Sequence, residues 1–181
     1  MGSFYNNNKV GKQAEKAVRV WLEGKGWKVI DASNHRFFQQ SGVDFVAERK
    51  STTYLLEVKS DPHPPKCVFL EYISNDEKGS PGWLETTSAD RIFYYFRNYN
   101  RAVIFDPTNA RDIITQWEYP AACAETTING KVIYRSWGYI VPVDDLEILQ
   151  ELQLPIPKNC QKKSTLHKKG DLFETLFHSI K

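Results

Sequence analysis

The sequence predicts an α/β or α+β protein in which helices cover a β-sheet. The chain begins with an amphipathic helix, continues with short apolar segments typical of strands, and carries further helical segments between and after them. Its 181 residues, of which 41% are hydrophobic and 13% aromatic, can bury a core, most simply as one domain.

The first helix is predicted over residues 9–23, where apolar side chains recur at the spacing of one helix face. That face consists of Val10, Ala14, Ala17, Val18 and Trp21. The Gly-Lys-Gly segment at residues 24–26 ends the helix. Strands bounded by polar or proline-rich segments follow at residues 27–33, 43–48, 53–59 and 67–74.

The second half of the chain predicts further strands and helices. A long loop is expected at residues 75–90, followed by strands at residues 91–96 and 101–106. A helix is expected at residues 107–118, and a final short helix at residues 144–152. Pro107 supports the longer helix, since proline is tolerated in a first helical turn. The Asn129-Gly130 dipeptide is typical of tight hairpin turns and predicts a strand on either side.

The last 25 residues differ in charge from the rest of the chain. Residues 157–181 carry six lysines against Asp171 and Glu174, whereas the whole chain has a net charge of only +2. The segment DLFETLFHSIK within this tail has apolar residues on one helical face. We therefore expect a single domain over residues 1–156, followed by a basic linker and a short amphipathic helix over 157–181.

Composition argues against several classes of protein. No apolar run is long enough to span a bilayer, and the segment MGSFYNNNKVGK lacks the apolar stretch of a secretory signal, so a cytoplasmic protein is expected. The three cysteines lie far apart, without the spacing of a zinc site or a disulfide framework. The four histidines show no paired spacing for a metal.

Residues 41–61, SGVDFVAERKSTTYLLEVKSD, place Asp44, Glu57 and Lys59 within two otherwise apolar strands. Residues two apart on a strand share a face, so Glu57 and Lys59 point the same way. A hairpin with an even turn centred just after Lys50 sets Asp44 opposite Glu57, and like charges at that spacing are destabilising. A positive charge is therefore expected between the carboxylates. The alternative is a set of ordinary solvent-face charges that Lys59 neutralises.

Two neighbouring carboxylates beside a lysine suit a divalent metal site. Mg²⁺ prefers oxygen ligands and keeps several waters, so Asp44, Glu57, the main-chain carbonyl of Val58 and a substrate phosphate can surround it. A bound metal makes its water more acidic and offsets charge on a phosphate, while Lys59 can hold that water or stabilise the reacting phosphorus centre. Glu15 lies at the edge of the apolar helix face, from which its carboxylate can reach the sheet. The solvated side of that helix is predicted to carry Lys12, Lys16 and Arg19.

Residues 9–75 resemble the PD-(D/E)XK nuclease superfamily. The resemblance lies in the order of a glutamate on a helix, then an aspartate, then (Asp/Glu)-X-Lys on a strand. The resemblance implies a restriction-endonuclease-like core, in which helices flank a mixed central β-sheet, with C-terminal strand and helix elaborations. It also implies that Glu15 is an accessory carboxylate and further metal ligand, that Asp44 and Glu57 are metal ligands, and that Lys59 is the catalytic lysine.

The loop before the aspartate is similar to that of archaeal Holliday-junction resolvases, which place a serine and a glycine where Ser41 and Gly42 lie here. Val43 stands where the superfamily usually has a proline. Further candidates for contacts to DNA or to the metal ligands are Arg36, Gln40, Ser41 and Glu71.

Three aromatic residues near these positions leave two interpretations open. Phe37 and Phe38 are as consistent with core packing as with a contact to nucleic acid. Trp83 either inserts at a nucleic-acid groove or, as is commoner for a loop tryptophan, anchors its loop to the core.

The preferred function is a metal-dependent endonuclease that cuts double-stranded DNA at a specific site, as restriction and homing endonucleases do. The expected cofactor is Mg²⁺, with Mn²⁺ able to substitute and Ca²⁺ supporting binding without cleavage. Residues 76–156 are expected to serve recognition or oligomerisation. A homodimer or higher homo-oligomer, most simply a dimer, is predicted to pair through residues 91–96 or 171–181. The alternatives are a structure-selective nuclease such as a Holliday-junction resolvase, and a non-catalytic nucleic-acid-binding module.

Overall fold

A computed structural model of the chain describes residues 3–154, with side chains described from residue 10 onward. The helices are α1 (Ser3–Gly24), α2 (Arg36–Gln40), α3 (Trp83–Thr86) and α4 (Pro107–Gln116), and a 3₁₀ turn spans Val143–Asp145. The strands are β1 (Lys28–Asp31), β2 (Phe45–Arg49), β3 (Thr52–Asp61), β4 (Cys67–Asn75), β5 (Ser80–Pro81), β6 (Arg91–Phe96), β7 (Arg101–Phe105), β8 (Ala121–Ile128), β9 (Lys131–Pro142) and β10 (Ile148–Gln153). None of the helices within residues 3–154 combines the length and the apolar content that crossing a bilayer requires.

Six strands form a mixed central sheet in the order β1-β2-β3-β6-β7-β10. β3 and β6 run parallel, and the other neighbouring strands run antiparallel. The apolar face of α1 packs on one side of this sheet, where Val18 and Leu22 share a core with Phe45, Leu56 and Phe93. Burial of that face holds the helix against the sheet. The predicted α/β fold, with helices flanking a mixed central sheet, is confirmed.

A second, antiparallel sheet in the order β5-β4-β9-β8 packs on the other side of the central sheet. Val68, Leu70 and Val141 from this sheet share a core with Ile92 and Phe105, which point away from α1. The short helices α3 and α4 contribute to the same layer. The central sheet is thus completed by β6, β7 and β10, all of which lie within the predicted elaboration at residues 76–156.

The prediction of a short helix over residues 144–152 is wrong, because the chain forms a 3₁₀ turn there and then strand β10. β10 pairs with β7 at the edge of the central sheet. Leu152 and Leu154 are buried while Gln153 between them is exposed, which is the alternation of a strand. The backbone groups along the edge of β7 provide hydrogen-bond partners that an isolated helical segment would not satisfy.

The aromatic segment 91–96, one of the two surfaces predicted for subunit pairing, is instead part of the core. It forms β6 in the interior of the central sheet, and all of its residues are buried. The other predicted pairing surface, residues 171–181, lies outside the described residues together with the rest of the predicted linker at 157–181. The predicted long loop at 75–90 contains β5 and α3.

Candidate functional site

The β2–β3 hairpin has the predicted register. Phe45 pairs with Leu56 and Arg49 with Thr52, so the turn is centred just after Lys50. Regular pairing stops at Phe45, and the N–H of Asp44 donates to the carbonyl of Leu56 at 2.9 Å. The side chain of Asp44 also bonds to β3, because its Oδ2 accepts a 2.8 Å hydrogen bond from the N–H of Val58.

Glu57 is buried beside Asp44, with 4% of its surface exposed. Its Oε1 lies 2.5 Å from Nζ of Lys59, so the two side chains share a face as predicted. Its Oε2 is buried and has no hydrogen-bond partner among the described residues. A buried carboxylate oxygen without a partner is costly, which makes this atom a candidate ligand for a cation.

Gly42 provides the space that Glu57 occupies. Its φ is +66°, a backbone conformation that favours glycine. A Cβ at this position would lie 3.1 Å from both carboxylate oxygens of Glu57. A side chain at position 42 would therefore crowd the carboxylate of Glu57.

Electrostatic effects on Asp44 show that four predicted residues lie close together. Burial raises the pKa of Asp44 to about 6, while the hydrogen bond from Val58 opposes the rise. The charges of Glu15 and Glu57 raise this pKa further, and the charge of Lys59 lowers it. The structure thus brings Glu15, Asp44, Glu57 and Lys59 into one site, with a positive charge beside the carboxylates as the register predicts.

Lys12 lies on the solvated side of the helix, as predicted, with 59% of its side chain exposed, and it nevertheless belongs to the site. Its Nζ donates to Glu15 at 2.7 Å and to Oγ of Ser33 at 2.9 Å. Burial lowers the pKa of Lys12, but the hydrogen bond and the charges of Glu15, Asp31 and Asp44 outweigh it and raise the pKa above its ordinary value. Helix spacing alone did not predict this role, because the hydrogen bond to Ser33 joins segments 21 residues apart in the sequence.

Glu71 approaches the site from β4 in the second sheet. Burial raises the pKa of Glu71, whereas the charge of Lys59, the nearby N–H of Trp83 and the nearby side chain of Ser136 lower it. Trp83 itself is buried in the core, so its insertion at a nucleic-acid groove is wrong and the core-anchoring interpretation holds. The Trp83 ring centroid lies 5.3 Å from Nζ of Lys59.

Helix α2 lies directly before the site and presents an exposed surface. The side chains of Arg36 and Gln40 are exposed, and Phe37 is 66% exposed, which rules out core packing for that ring. Ser41 closes the helix, since its Oγ donates to the carbonyl of Phe37 at 2.9 Å. The N–H of Val43 donates to the carbonyl of Phe38 at 2.9 Å, and this bond fixes α2 next to Asp44.

The donor set fits a divalent cation that keeps part of its own water shell. Among the described residues, no three His, Cys, Asp or Glu side chains are arranged as a ready-made metal cage. Mg²⁺ does not need such a cage, because it is commonly held by one or two carboxylates together with waters and substrate phosphate. Asp44 and Glu57 supply the two carboxylates, and the partnerless Oε2 of Glu57 is the atom best explained by a cation.

Comparison with known proteins provides one structural similarity. No family model and no curated protein matches the chain. Among solved structures, the chain is similar to the bacterial homing endonuclease I-Ssp6803I, with a TM-score of 0.45 and 16% identity over 61% of this chain and 73% of that one.

Proposed function

We propose that the chain is a divalent-metal-dependent endonuclease that hydrolyses phosphodiester bonds in double-stranded DNA at specific sites. One observation carries the proposal: Asp44 and Glu57 are neighbouring, largely buried carboxylates, and Oε2 of Glu57 has no partner among the described residues. Asp44, Glu57 and the main-chain carbonyl of Val58 would hold Mg²⁺, with Glu15 as an accessory carboxylate beside them. When bound, the cation supplies a more acidic water and positive charge beside the phosphate.

Lys59 would stabilise the reacting phosphate directly. Its side chain is 27% exposed, so the ammonium can meet a phosphate that arrives from solvent while it stays bonded to Glu57. A fixed positive charge in a partly buried site stabilises negative charge that develops on phosphate oxygens. Lys12 would hold the carboxylate of Glu15 toward the site, because its Nζ bridges Glu15 and Ser33.

The surface of α2 is the proposed DNA contact next to the scissile phosphate. Arg36 offers a positive charge for phosphate or guanine, and Gln40 offers an amide for a base edge. Both side chains are exposed, as is the ring of Phe37 on the same helix. Contacts that read bases at this position would make cleavage site-specific, as in the restriction or homing type of enzyme.

The test combines a substrate panel with matched variants. The purified protein is incubated with Mg²⁺ and linear, supercoiled, four-way-junction and single-stranded DNA, and the ends are mapped. We expect discrete ends at one sequence in duplex DNA, with Mn²⁺ able to replace Mg²⁺ and Ca²⁺ supporting binding without cleavage. Cuts confined to four-way junctions would favour the resolvase alternative, and binding without cleavage in any metal would favour a non-catalytic module.

The matched variants are Glu57→Gln at the site and Glu48→Gln on the same hairpin. Glu48 is a solvent-accessible carboxylate paired with Lys28 at 3.0 Å. Its substitution makes the same Glu-to-Gln change outside the proposed metal site. Glu57→Gln is expected to abolish cleavage while DNA binding persists, and Glu48→Gln is expected to cleave like the parent. Cleavage by Glu57→Gln at the parent rate would refute the assignment of the site.

A further inference from the structure

Trp83 contacts two charged groups of the site without being a metal-ligand candidate itself. Its ring lies under the ammonium of Lys59, with 5.3 Å from Nζ to the ring centroid. Its main-chain N–H also lies near the carboxylate of Glu71 and lowers the pKa of that group. Trp83 is 9% exposed and belongs to the core between the two sheets. One buried residue thus joins the core to both a cation and an anion of the site.

The position of the Trp83 ring is held from several directions. Gly82 packs so closely on β4 that a Cβ there would lie 2.2 Å from the carbonyl oxygen of Glu71. Arg111 of α4 donates to the carbonyl of Leu84 at 2.7 Å and to that of Thr87 at 2.8 Å. Because its helix is fixed on both sides, the ring forms a rigid surface beneath the flexible lysine stem.

We propose that Trp83 is a positioning residue, whose ring holds the Lys59 ammonium against Glu57 and directs it toward the scissile phosphate; this inference rests on the proposed function. A lysine side chain loses considerable rotamer freedom when its ammonium is held in one place. A cation over the face of a partly desolvated tryptophan is attracted by the ring, and this attraction offsets part of that loss. Without the ring, Lys59 keeps its charge but visits other rotamers.

A double-mutant cycle separates positioning from simple core packing. Trp83→Leu keeps apolar bulk but removes the ring face, and it is expected to lower the single-turnover cleavage rate at saturating Mg²⁺ and DNA by about tenfold. Trp83→Phe keeps a ring face and is expected to restore most of the rate. In a Lys59→Ala background, Trp83→Leu is expected to cause little further loss, because its effect acts through Lys59.

Trp27→Leu is the matched control. Trp27 is also buried, at 7% exposure, and has the guanidinium of Arg49 6.0 Å from its ring, but it belongs to the core on the α1 side of the sheet. The same substitution there is expected to lower stability without coupling to Lys59. If the effects of Trp83→Leu and Lys59→Ala multiply independently, or if Trp83→Phe is as impaired as Trp83→Leu, Trp83 does not position the lysine.

A second readout is independent of cleavage. Lysines are reductively methylated with ¹³C-formaldehyde in EDTA, and the Lys59 resonance is assigned by its loss in Lys59→Arg. Ring current from Trp83 is expected to move this resonance upfield in the parent, to a smaller extent in Trp83→Phe, and not in Trp83→Leu. An unshifted Lys59 resonance in the parent would overturn the inference, whereas a shifted resonance in a protein that cleaves no DNA would refute only the proposed function.

Discussion

The main-chain N–H of Val58 donates a 2.8 Å hydrogen bond to Oδ2 of Asp44. This bond ties a carboxylate just before β2 to the residue that follows Glu57 on β3, so the hairpin itself brings the two carboxylates together. It favours the charged form of Asp44, but burial outweighs it and raises the pKa to about 6. A carboxylate with such a pKa lowers the stability of the apoprotein at neutral pH, which is typical of a group kept for function.

Asp44→Asn is therefore expected to stabilise the metal-free protein at pH 8. The folded-state pKa is about 6 against an ordinary 3.8, so between these values the folded state binds more protons than the unfolded state and stability falls as pH rises. The asparagine carries no charge and escapes that loss. We expect a gain of about 1–3 kcal/mol at pH 8, shrinking toward pH 4, in urea denaturation with EDTA.

Mg²⁺ should reverse this order of stability. It is expected to raise the melting temperature of the parent, since it binds only the folded state, but not that of Asp44→Asn. Asp112→Asn, on the exposed part of α4, is the control and should leave both the pH dependence and the Mg²⁺ response unchanged. If the parent is at least as stable as Asp44→Asn at pH 8 in EDTA, the charged carboxylate of Asp44 does not lower the stability of the metal-free protein.

Gly42→Ala should harm the site more than a comparable glycine substitution elsewhere. Gly42 and Gly130 have φ values of +66° and +75°, so alanine is strained at both. Only at Gly42 does the added Cβ meet Glu57, at 3.1 Å, whereas at Gly130 it meets open space. We expect Gly130→Ala to cost about 1 kcal/mol and Gly42→Ala to cost more, with weaker Mg²⁺ binding by calorimetry. Equal losses at the two positions would show that the contact with Glu57 is unimportant.

Phe37→Ala should weaken DNA binding without changing stability. The ring is 66% exposed, so its removal is expected to change the free energy of unfolding by less than about 0.5 kcal/mol. Loss of a stacking or groove contact should lower affinity for duplex DNA by about tenfold in fluorescence anisotropy. Trp117→Ala, which removes an aromatic side chain that is 67% exposed at the end of α4, is the control. A similar loss for both variants, or none for Phe37→Ala, would argue against α2 as the DNA contact.

The predicted homodimer is tested by its mass in solution. A duplex has two strands of opposite polarity, and a two-fold pair of subunits would present one Asp44, Glu57 and Lys59 set to each strand. Light scattering with and without target DNA is expected to give twice the mass of one chain. A monomer under both conditions that still breaks both strands in one encounter would rule out the dimer. Residues 91–96 are no longer a candidate interface, since they are buried within the chain.

Local patterns were sufficient for the hairpin that carries the site. Strand alternation and the position of the turn after Lys50 predict the register that pairs Phe45 with Leu56. They also predict that Glu57 and Lys59 share a face, as their 2.5 Å contact confirms. The helix face of α1 was predictable for the same reason, since both periodicities are properties of a few consecutive residues.

Contacts between distant segments decided the rest. β10 has a pattern that is also compatible with a short helix, and only the open edge of β7 makes it a strand. The placement of Trp83 under Lys59, and of Glu71 beside both, depends on how the second sheet packs on the first. Residues of β3, β4 and α3 meet there because burial of apolar surface between the two sheets fixes how whole strands and helices are oriented. The spacing of neighbouring residues in the sequence does not encode that orientation.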